Sequence, residues 1–388
     1  MDYGFTEEQI MMRDLARQIA EEKIVPVREK YDEEETFPWD IVKVLAESDL
    51  FGVFIPEAYG GCAGAGPIVN MCIVTEELSK QCGGIALAYA ASGLGTLPII
   101  LGGSEEQKKK YLPDLASGKK LAAFAITEPD AGSDAAGIKT TAVKDGDGYV
   151  LNGTKQWISN GGEAEIYTVF AMTDRSRGAR GASAFIVEKD TPGFTFGKKE
   201  RKMGIRASAT RELVFQDCRV PAANRLDKEG SGFMTAMKTF DASRPGVGAQ
   251  ALGIAAGALD LAVDYSRTRV QFGRPISANQ GLQWMLADMA MKVEAARALI
   301  YAVARTIDRG EGRPTKFSAM AKCFASDIAV QVCLDAVQVF GGYGYMKEYP
   351  VEKYLRDAKI TQIYEGTNQI QRDEIARALI KESAGRKK

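Results

Sequence analysis

The chain contains no histidine. That absence removes Ser-His-Asp and Cys-His nucleophile chemistry. It also removes nearly every transition-metal site, because imidazole is the commonest metal ligand. Acid–base work near neutral pH then falls to a carboxylate, lysine, tyrosine or cysteine with a tuned pKa. The cysteines Cys62, Cys72, Cys82, Cys218, Cys323 and Cys333 form no C-x-x-C pair and match no zinc spacing, so they read as buried free thiols. A charge excess is missing as well. With 50 basic and 51 acidic residues the net charge is −1, which leaves no footprint for nucleic acid or an anionic membrane surface. No apolar run reads as membrane-spanning. The start, Met1-Asp2-Tyr3-Gly4-Phe5-Thr6, enters a helical pattern with neither a signal-peptide core nor an Arg-rich transit segment. These absences predict a cytoplasmic bacterial protein without a membrane partner.

What is present changes period twice. Thr6-Glu7-Glu8-Gln9 is a capping box, and Ile10, Leu15, Ile19 and Ile24 recur near helical spacing behind it. Ser104-Glu105-Glu106-Gln107 opens another helix, with Lys108, Lys109 and Lys110 as its solvated face. From about residue 120 short β-prone runs take over, among them Thr168-Val169-Phe170-Ala171 and Ala184-Phe185-Ile186-Val187, punctuated by turns such as Asp145-Gly146-Asp147-Gly148. These read as an antiparallel β module. From 232 onward helical stripes return, first Leu252, Ala255, Leu259 and Val263, then Leu282, Met285, Met289, Val293, Ala296 and Ile300, all expected to pack in the core. Gly310-Glu311-Gly312-Arg313-Pro314 separates two long helices, and Arg386-Lys387-Lys388 reads as a frayed tail. The expectation is a mainly α chain with an inserted β domain: helical over 1–119, β over 120–231, helical over 232–388, with a ligand cleft where the blocks meet.

Four segments carry candidate chemistry. Thr127-Glu128-Pro129-Asp130-Ala131-Gly132-Ser133-Asp134 is a turn-forming cluster with two hydroxyls; it is either a ligand loop or a plain connection between strands. In Lys155-Gln156-Trp157-Ile158-Ser159-Asn160-Gly161-Gly162, Trp157 is either core or a flat wall for a planar ring. Phe340-Gly341-Gly342-Tyr343-Gly344-Tyr345 lacks the preceding strand and following helix of a dinucleotide fingerprint, which excludes that reading and leaves a glycine kink for close approach. In Tyr364-Glu365-Gly366-Thr367-Asn368-Gln369, a carboxylate follows a mostly apolar stretch. Held in apolar surroundings Glu365 is a base with a raised pKa; in water it is an ordinary turn residue.

Together these segments resemble the acyl-CoA dehydrogenase family. The resemblance rests on Ile126-Thr127-Glu128-Pro129 with Ala131-Gly132-Ser133-Asp134, Trp157-Ile158-Ser159-Asn160-Gly161-Gly162, Asp241-Ala242-Ser243-Arg244, Arg269-Val270-Gln271-Phe272-Gly273, Gln338-Val339-Phe340-Gly341-Gly342 and Tyr364-Glu365-Gly366-Thr367, in that order. The short- and medium-chain, butyryl-CoA-like branches are the most similar. The resemblance implies an N-terminal helical domain, a middle β domain and a C-terminal four-helix bundle. It also implies FAD, completed by a neighbouring subunit of a homotetramer. It places Thr127, Trp157 and Ser159 at the isoalloxazine ring. Arg269, Phe272, Gln280, Gln338, Gly341 and Gly342 fall at the ADP half, with Thr367 and Gln369 near the pyrophosphate. By the same resemblance Ser133, Asp241, Arg244 and Gly366 would face the acyl-CoA, and Glu365 would remove the α proton while a hydride passes to the flavin. The resemblance further implies that electrons pass to electron-transferring flavoprotein. Branches that place the base glutamate on an earlier helix carry it at the position of Ser243, so Glu365 is the expected base. Ile85-Ala86-Leu87-Ala88-Tyr89-Ala90-Ala91 lacks the basic residue of glutaryl-specific members, which disfavours a dicarboxylic substrate. Alternatives within the same fold are a dehydrogenase or reductase for a cyclic or aromatic acyl-CoA, and an oxygen-using acyl-CoA oxidase.

Overall fold

The computed structural model describes residues 3–312 and 314–385; the Arg386-Lys387-Lys388 tail lies outside the described residues. Caps set the first helical block. On α1 (Glu7–Ile19) the Thr6 hydroxyl accepts from the Gln9 N–H while the Gln9 side chain accepts from the Thr6 N–H. Helices α2 (Arg28–Glu34), α3 (Trp39–Glu47), α4 (Pro67–Gln81) and α5 (Gly83–Gly102) follow. Ser104 and Gln107 repeat the reciprocal box on α6 (Glu105–Ala116). The lysines of α6 do more than meet solvent, because Lys110 donates to Glu188 and so ties α6 to the sheet.

One expectation is corrected here. By length and composition, Gly83–Gly102, Gly232–Thr268 and Thr315–Tyr345 are each apolar enough to cross a membrane. Helix α5 carries no charged residue, and its glycines and alanines hide its length from a search for bulky apolar runs. It is buried on almost every side, which is how an all-round apolar helix sits in a protein core.

The middle block is one sheet: β1 (Ala122–Ala125), β2 (Thr141–Asp145), β3 (Gly148–Ser159), β4 (Ile166–Met172), β5 (Ala182–Glu188), β6 (Phe194–Lys199), β7 (Thr210–Pro221) and β8 (Arg225–Leu226). The order is β6-β7-β3-β2-β4-β5-β8, with β1 added against β4. The sheet is not purely antiparallel. β1 runs parallel to β4, pairing Ala122 with Ile166, and β2 meets β4 in parallel at Thr141 and Met172. A parallel partner needs a long crossover, and here the intervening chain supplies the candidate ligand loop and β3.

The last block is helical, with a small hairpin, β9 (Val270–Gln271) with β10 (Arg274–Pro275), between α7 (Gly232–Thr268) and α8 (Gln280–Asp308). Helices α9 (Thr315–Phe340), α10 (Val351–Ile360) and α11 (Asn368–Gly385) complete it. α7 packs on α8 and α9, and also on α4 and α5. Its approach to α4 is set by Gly253 and Gly257: a Cβ there would fall 2.3 Å from the Glu76 carbonyl oxygen and 2.1 Å from that of Lys80. α5 in turn packs on β1 and α7, so all three blocks meet around it. The stripe on α8 is buried at Met289, Val293, Ala296 and Ile300, but Leu282 and Met285 are only half covered and Val263 on α7 is exposed. Those ends therefore depart from the all-core expectation.

Candidate active site

At that junction lies a cleft of about 630 Å³. α5 lines it with Leu87, Ala90, Ala91 and Leu94, and α7 adds Ser243, Arg244 and Gln250. From the sheet come Thr127, just after β1, and Trp157 and Ser159 on β3. The turn between α10 and α11 contributes Tyr364, Glu365 and Gly366.

Local sequence explains each placement. On β3, Lys155 pairs with Leu213 and Ile158 with Arg211, so one extra residue is taken up between them. That bulge holds Trp157 at φ +57° and turns its side chain outward, 56% exposed. A buried ion pair backs the bulge. Lys155 Nζ donates to Glu128 Oε1 at 2.8 Å and to the Ile126 carbonyl at 3.0 Å, while Gln156 N–H donates to the Thr127 carbonyl at 2.9 Å. Burial pushes the Lys155 ammonium down to about 8. Burial also opposes ionisation of Glu128, yet Lys155 and the N–H groups of Lys139 and Thr140 hold its carboxyl below the ordinary glutamate value.

On α7, Pro245 has no N–H to give to the carbonyl of Asp241, and Ser318 Oγ fills that acceptor at 2.7 Å. Ser243 and Arg244 sit at this irregular turn. Arg244 is buried, its guanidinium lies over the Phe240 ring, and its Nε has no partner among the described residues. Burial lowers its pKa, against the pull of Asp241, Glu365 and Glu374. A buried, unpaired guanidinium donor lining a cleft fits an acceptor supplied by a ligand.

Glu365 stands at φ +51° and Gly366 at φ +88°. Ser243 Oγ donates to Glu365 Oε2 at 2.5 Å, so the two positions that resemblance treats as alternatives are in contact. Burial raises the Glu365 pKa, while Ser243, Arg244 and Lys322 work in the other direction without cancelling it. The N–H of Glu365 donates to no acceptor among the described residues. The Gln371 side chain donates to the carbonyls of both Glu365 and Gly366, at 3.0 and 2.9 Å. The turn favours glycine for its φ, and a Cβ at Gly366 would fall 2.7 Å from that Gln371 nitrogen and push the clamping side chain aside.

The cleft thus gathers Thr127, Ser133, Trp157, Ser159, Arg244, Glu365 and Gly366. Asp241 does not line it; its carboxylate accepts from Thr315 Oγ1 at 2.7 Å, and burial raises its pKa. Arg269, Gly341 and Gly342 line a separate depression at the far ends of α7 and α9, where the Arg269 guanidinium lies 5.2 Å from the Tyr343 ring. Phe272, at the hairpin tip, is 99% exposed, and Gln280 and Gln338 are exposed as well. Thr367 Oγ1 accepts from the Ile370 N–H as α11 begins, and Gln369 faces solvent. Sequence reasoning missed Lys322, Gln371 and the Tyr364–Gln250 hydrogen bond. For Lys322 a signal exists: it is a charge inside the apolar run Ala319-Met320-Ala321-Lys322-Cys323.

Comparison with known proteins covers nearly the whole chain. Residues 6–119 match the family model described as acyl-CoA dehydrogenase, N-terminal domain, residues 123–218 the middle domain, and residues 230–380 the C-terminal domain. An acyl-CoA dehydrogenase of Bacillus subtilis (strain 168) is 52% identical, over 97% of this chain and 98% of its own. The solved butyryl-CoA dehydrogenase from Megasphaera elsdenii is 48% identical with a TM-score of 0.95, over 98% of this chain and 100% of its own. A chain from structural work on the electron transferring flavoprotein of Acidaminococcus fermentans is 50% identical with a TM-score of 0.94, over 98% of this chain and 99% of its own. With its three blocks matched in order and relatives that cover nearly all of it, this protein belongs to the acyl-CoA dehydrogenase family.

Proposed function

We propose that the chain oxidises an acyl-CoA thioester to the 2-enoyl-CoA, with FAD as its redox group, Glu365 as its base and electron-transferring flavoprotein as its electron acceptor. The observation that carries this reading is the turn at Glu365: a desolvated carboxyl and a backbone N–H with no acceptor among the described residues, both on one residue, in a cleft whose wall includes a half-exposed tryptophan. The butyryl-CoA dehydrogenase and the flavoprotein-associated chain reported above support the substrate class and the acceptor.

The residues present fit FAD. Trp157 offers a flat apolar wall, with the hydroxyls of Thr127 and Ser159 in the same cleft for ring heteroatoms. Arg269, Phe272, Gln280, Gln338, Gly341 and Gly342, with Thr367 and Gln369, would hold the rest of it across a contact between copies of the chain, as a homotetramer allows. When bound, FAD accepts the β hydride of the substrate. The chain's own residues do the remainder. The Glu365 carboxylate takes the α proton, which is the stronger step for a base of raised pKa. The Glu365 N–H, without an acceptor among the described residues, polarises the thioester carbonyl as negative charge develops on its oxygen. Ser133, Arg244 and Gly366 bind the thioester and its CoA moiety, with Asp241 supporting them from behind through Thr315 and α7. Leu87, Ala90, Ala91 and Leu94 give the acyl group an uncharged wall, which favours a monocarboxylic acyl chain.

Glu365→Gln should retain FAD and lose flavin reduction by acyl-CoA by about 1,000-fold or more. Anaerobic bleaching of the flavin absorbance measures both, and reduction at the wild-type rate would remove Glu365 from the role of base. The same bleaching across straight, branched, aromatic and cyclic acyl-CoAs assigns the acyl group. Oxygen uptake without an added acceptor would point to the oxidase alternative.

A further inference from the structure

A lysine lies buried beneath the turn that carries Glu365. Lys322, on α9, has no solvent exposure, and its hydrogen-bond partners are neutral: the Gly366 carbonyl at 2.8 Å and Asn368 Oδ1 at 2.9 Å. A buried cation that gains only neutral acceptors is costly, and an apolar side chain of similar volume would often serve folding as well or better. Its place needs another reason, and the turn supplies one. Glu365 and Gly366 both occupy the left-handed region, which costs energy at a glutamate and persists only when the surroundings over-determine it.

The surroundings do so from two sides. Gln371 on α11 holds the Glu365 and Gly366 carbonyls, and Lys322 on α9 holds the Gly366 carbonyl again. Asn368 extends the clamp. Its N–H donates to the Gln362 carbonyl at 3.0 Å, closing the loop on itself, and its side chain donates to Ser326 Oγ at 2.9 Å and Asp327 Oδ1 at 2.7 Å. Asp327 also accepts from Gln362 and Arg372. The turn is therefore tied to α9 at Lys322, Ser326 and Asp327.

We propose that Lys322 is the positioning residue of the catalytic turn: it fixes the Glu365–Gly366 backbone through the Gly366 carbonyl and stands as a fixed cation behind the Glu365 carboxyl. This inference rests on the reading of Glu365 as the base. Electrostatics agree with the geometry. Burial lowers the Lys322 pKa to about 8, and Glu365 is the strongest charge resisting that fall. Reciprocally, Lys322 resists the burial-driven rise at Glu365. The other groups facing the pair are Ser243 and Arg244 from α7, Cys323 and Asp327 from α9, and Tyr364 next along the turn.

The test uses the FAD-loaded full chain with Lys322→Met, Lys322→Gln and Lys322→Arg, reading the limiting rate of flavin reduction against pH, the acyl-CoA affinity and Tm. Lys322→Met should fold, because the Gly366 carbonyl keeps Gln371 as its donor and the Asn368 side chain keeps its bonds to Ser326 and Asp327. It should lower the limiting rate about tenfold, leave acyl-CoA affinity close to wild type, and move the acidic limb of the profile to higher pH, since a cation that favours the carboxylate is gone. Lys322→Gln keeps a donor without the charge, so its rate above the limb should recover while the limb stays displaced. Lys322→Arg should return the limb toward its wild-type position. A folded Lys322→Met with the wild-type rate and limb overturns the proposal; should that variant not fold, an undisplaced limb in Lys322→Gln overturns it. Wild-type profiles in the Lys322 variants beside an inactive Glu365→Gln reject Lys322 alone, whereas an active Glu365→Gln rejects the reading beneath it.

Discussion

At Glu365, opposing influences of unequal size set the proton affinity. Burial raises it, and the Ser243 hydrogen bond, Arg244 and Lys322 lower it, in that order. The net direction is upward from 4.5, so the reaction should be slow in acid and rise through a limb above the ordinary glutamate value. Ser243 donates to the carboxylate and so favours the charged form. Removing it leaves burial less opposed, and Ser243→Ala should move the limb further up. At a pH below the wild-type limb the variant should be slower by several-fold; well above both limbs the rates should converge. A stopped-flow series across pH separates this from a positional effect, because a misplaced carboxylate would lose the same factor at every pH.

The sheet shows the same economy at the scale of an element. The β3 bulge that exposes Trp157 is anchored by Lys155 and Glu128, both withdrawn from water. Breaking such a pair from one side strands the other charge. Glu128→Leu leaves Lys155 with only the Ile126 carbonyl, and should cost roughly 3–5 kcal/mol, read as a lower urea midpoint at unchanged slope. The pH dependence has a definite sign. The folded pKa of Glu128 lies below its unfolded value, so its contribution is present above about the ordinary 4.5 and is lost as pH falls through the folded value. Glu128→Leu should lack that acid loss.

How far this was legible in the sequence follows from how local each cause is. The capping boxes at Thr6 and Ser104 act over three residues, and the switch from helical period to short β-prone runs is local too. Both are plain in the sequence. The parallel pairing of β1 with β4 joins strands separated by two others, and no nearby residue announces it. Glu365 itself was legible only through the ordered motifs, since a turn glutamate is ambiguous until its surroundings are known. The contact with Ser243 and the support from Lys322 arise where α7 and α9 converge on the turn, and neither helix reveals that convergence alone.

For the whole molecule, one chain completes the cleft but leaves other apolar groups uncovered. Phe272 is 99% exposed at the tip of its hairpin, Tyr345 81%, and Trp284 and Met291 on α8 63% each. Single exposed apolar residues are common; these four lie in the last helical block, which also holds the depression lined by Arg269, Gly341 and Gly342. That depression is separate from the cleft. On the proposed reading the FAD contacts there serve a neighbouring copy, which would link assembly to cofactor retention. Phe272→Asp places a charge where an apolar contact is expected and touches nothing in the cleft of its own chain. It should reduce the oligomer and the FAD content together, by several-fold at micromolar protein. Arg269→Ala should lower FAD content with a smaller effect on size. Sedimentation velocity and the flavin-to-protein absorbance ratio measure the two quantities. A Phe272→Asp protein that is smaller yet keeps full FAD would place the whole cofactor site within one chain, and one that keeps both would move the interface away from the hairpin.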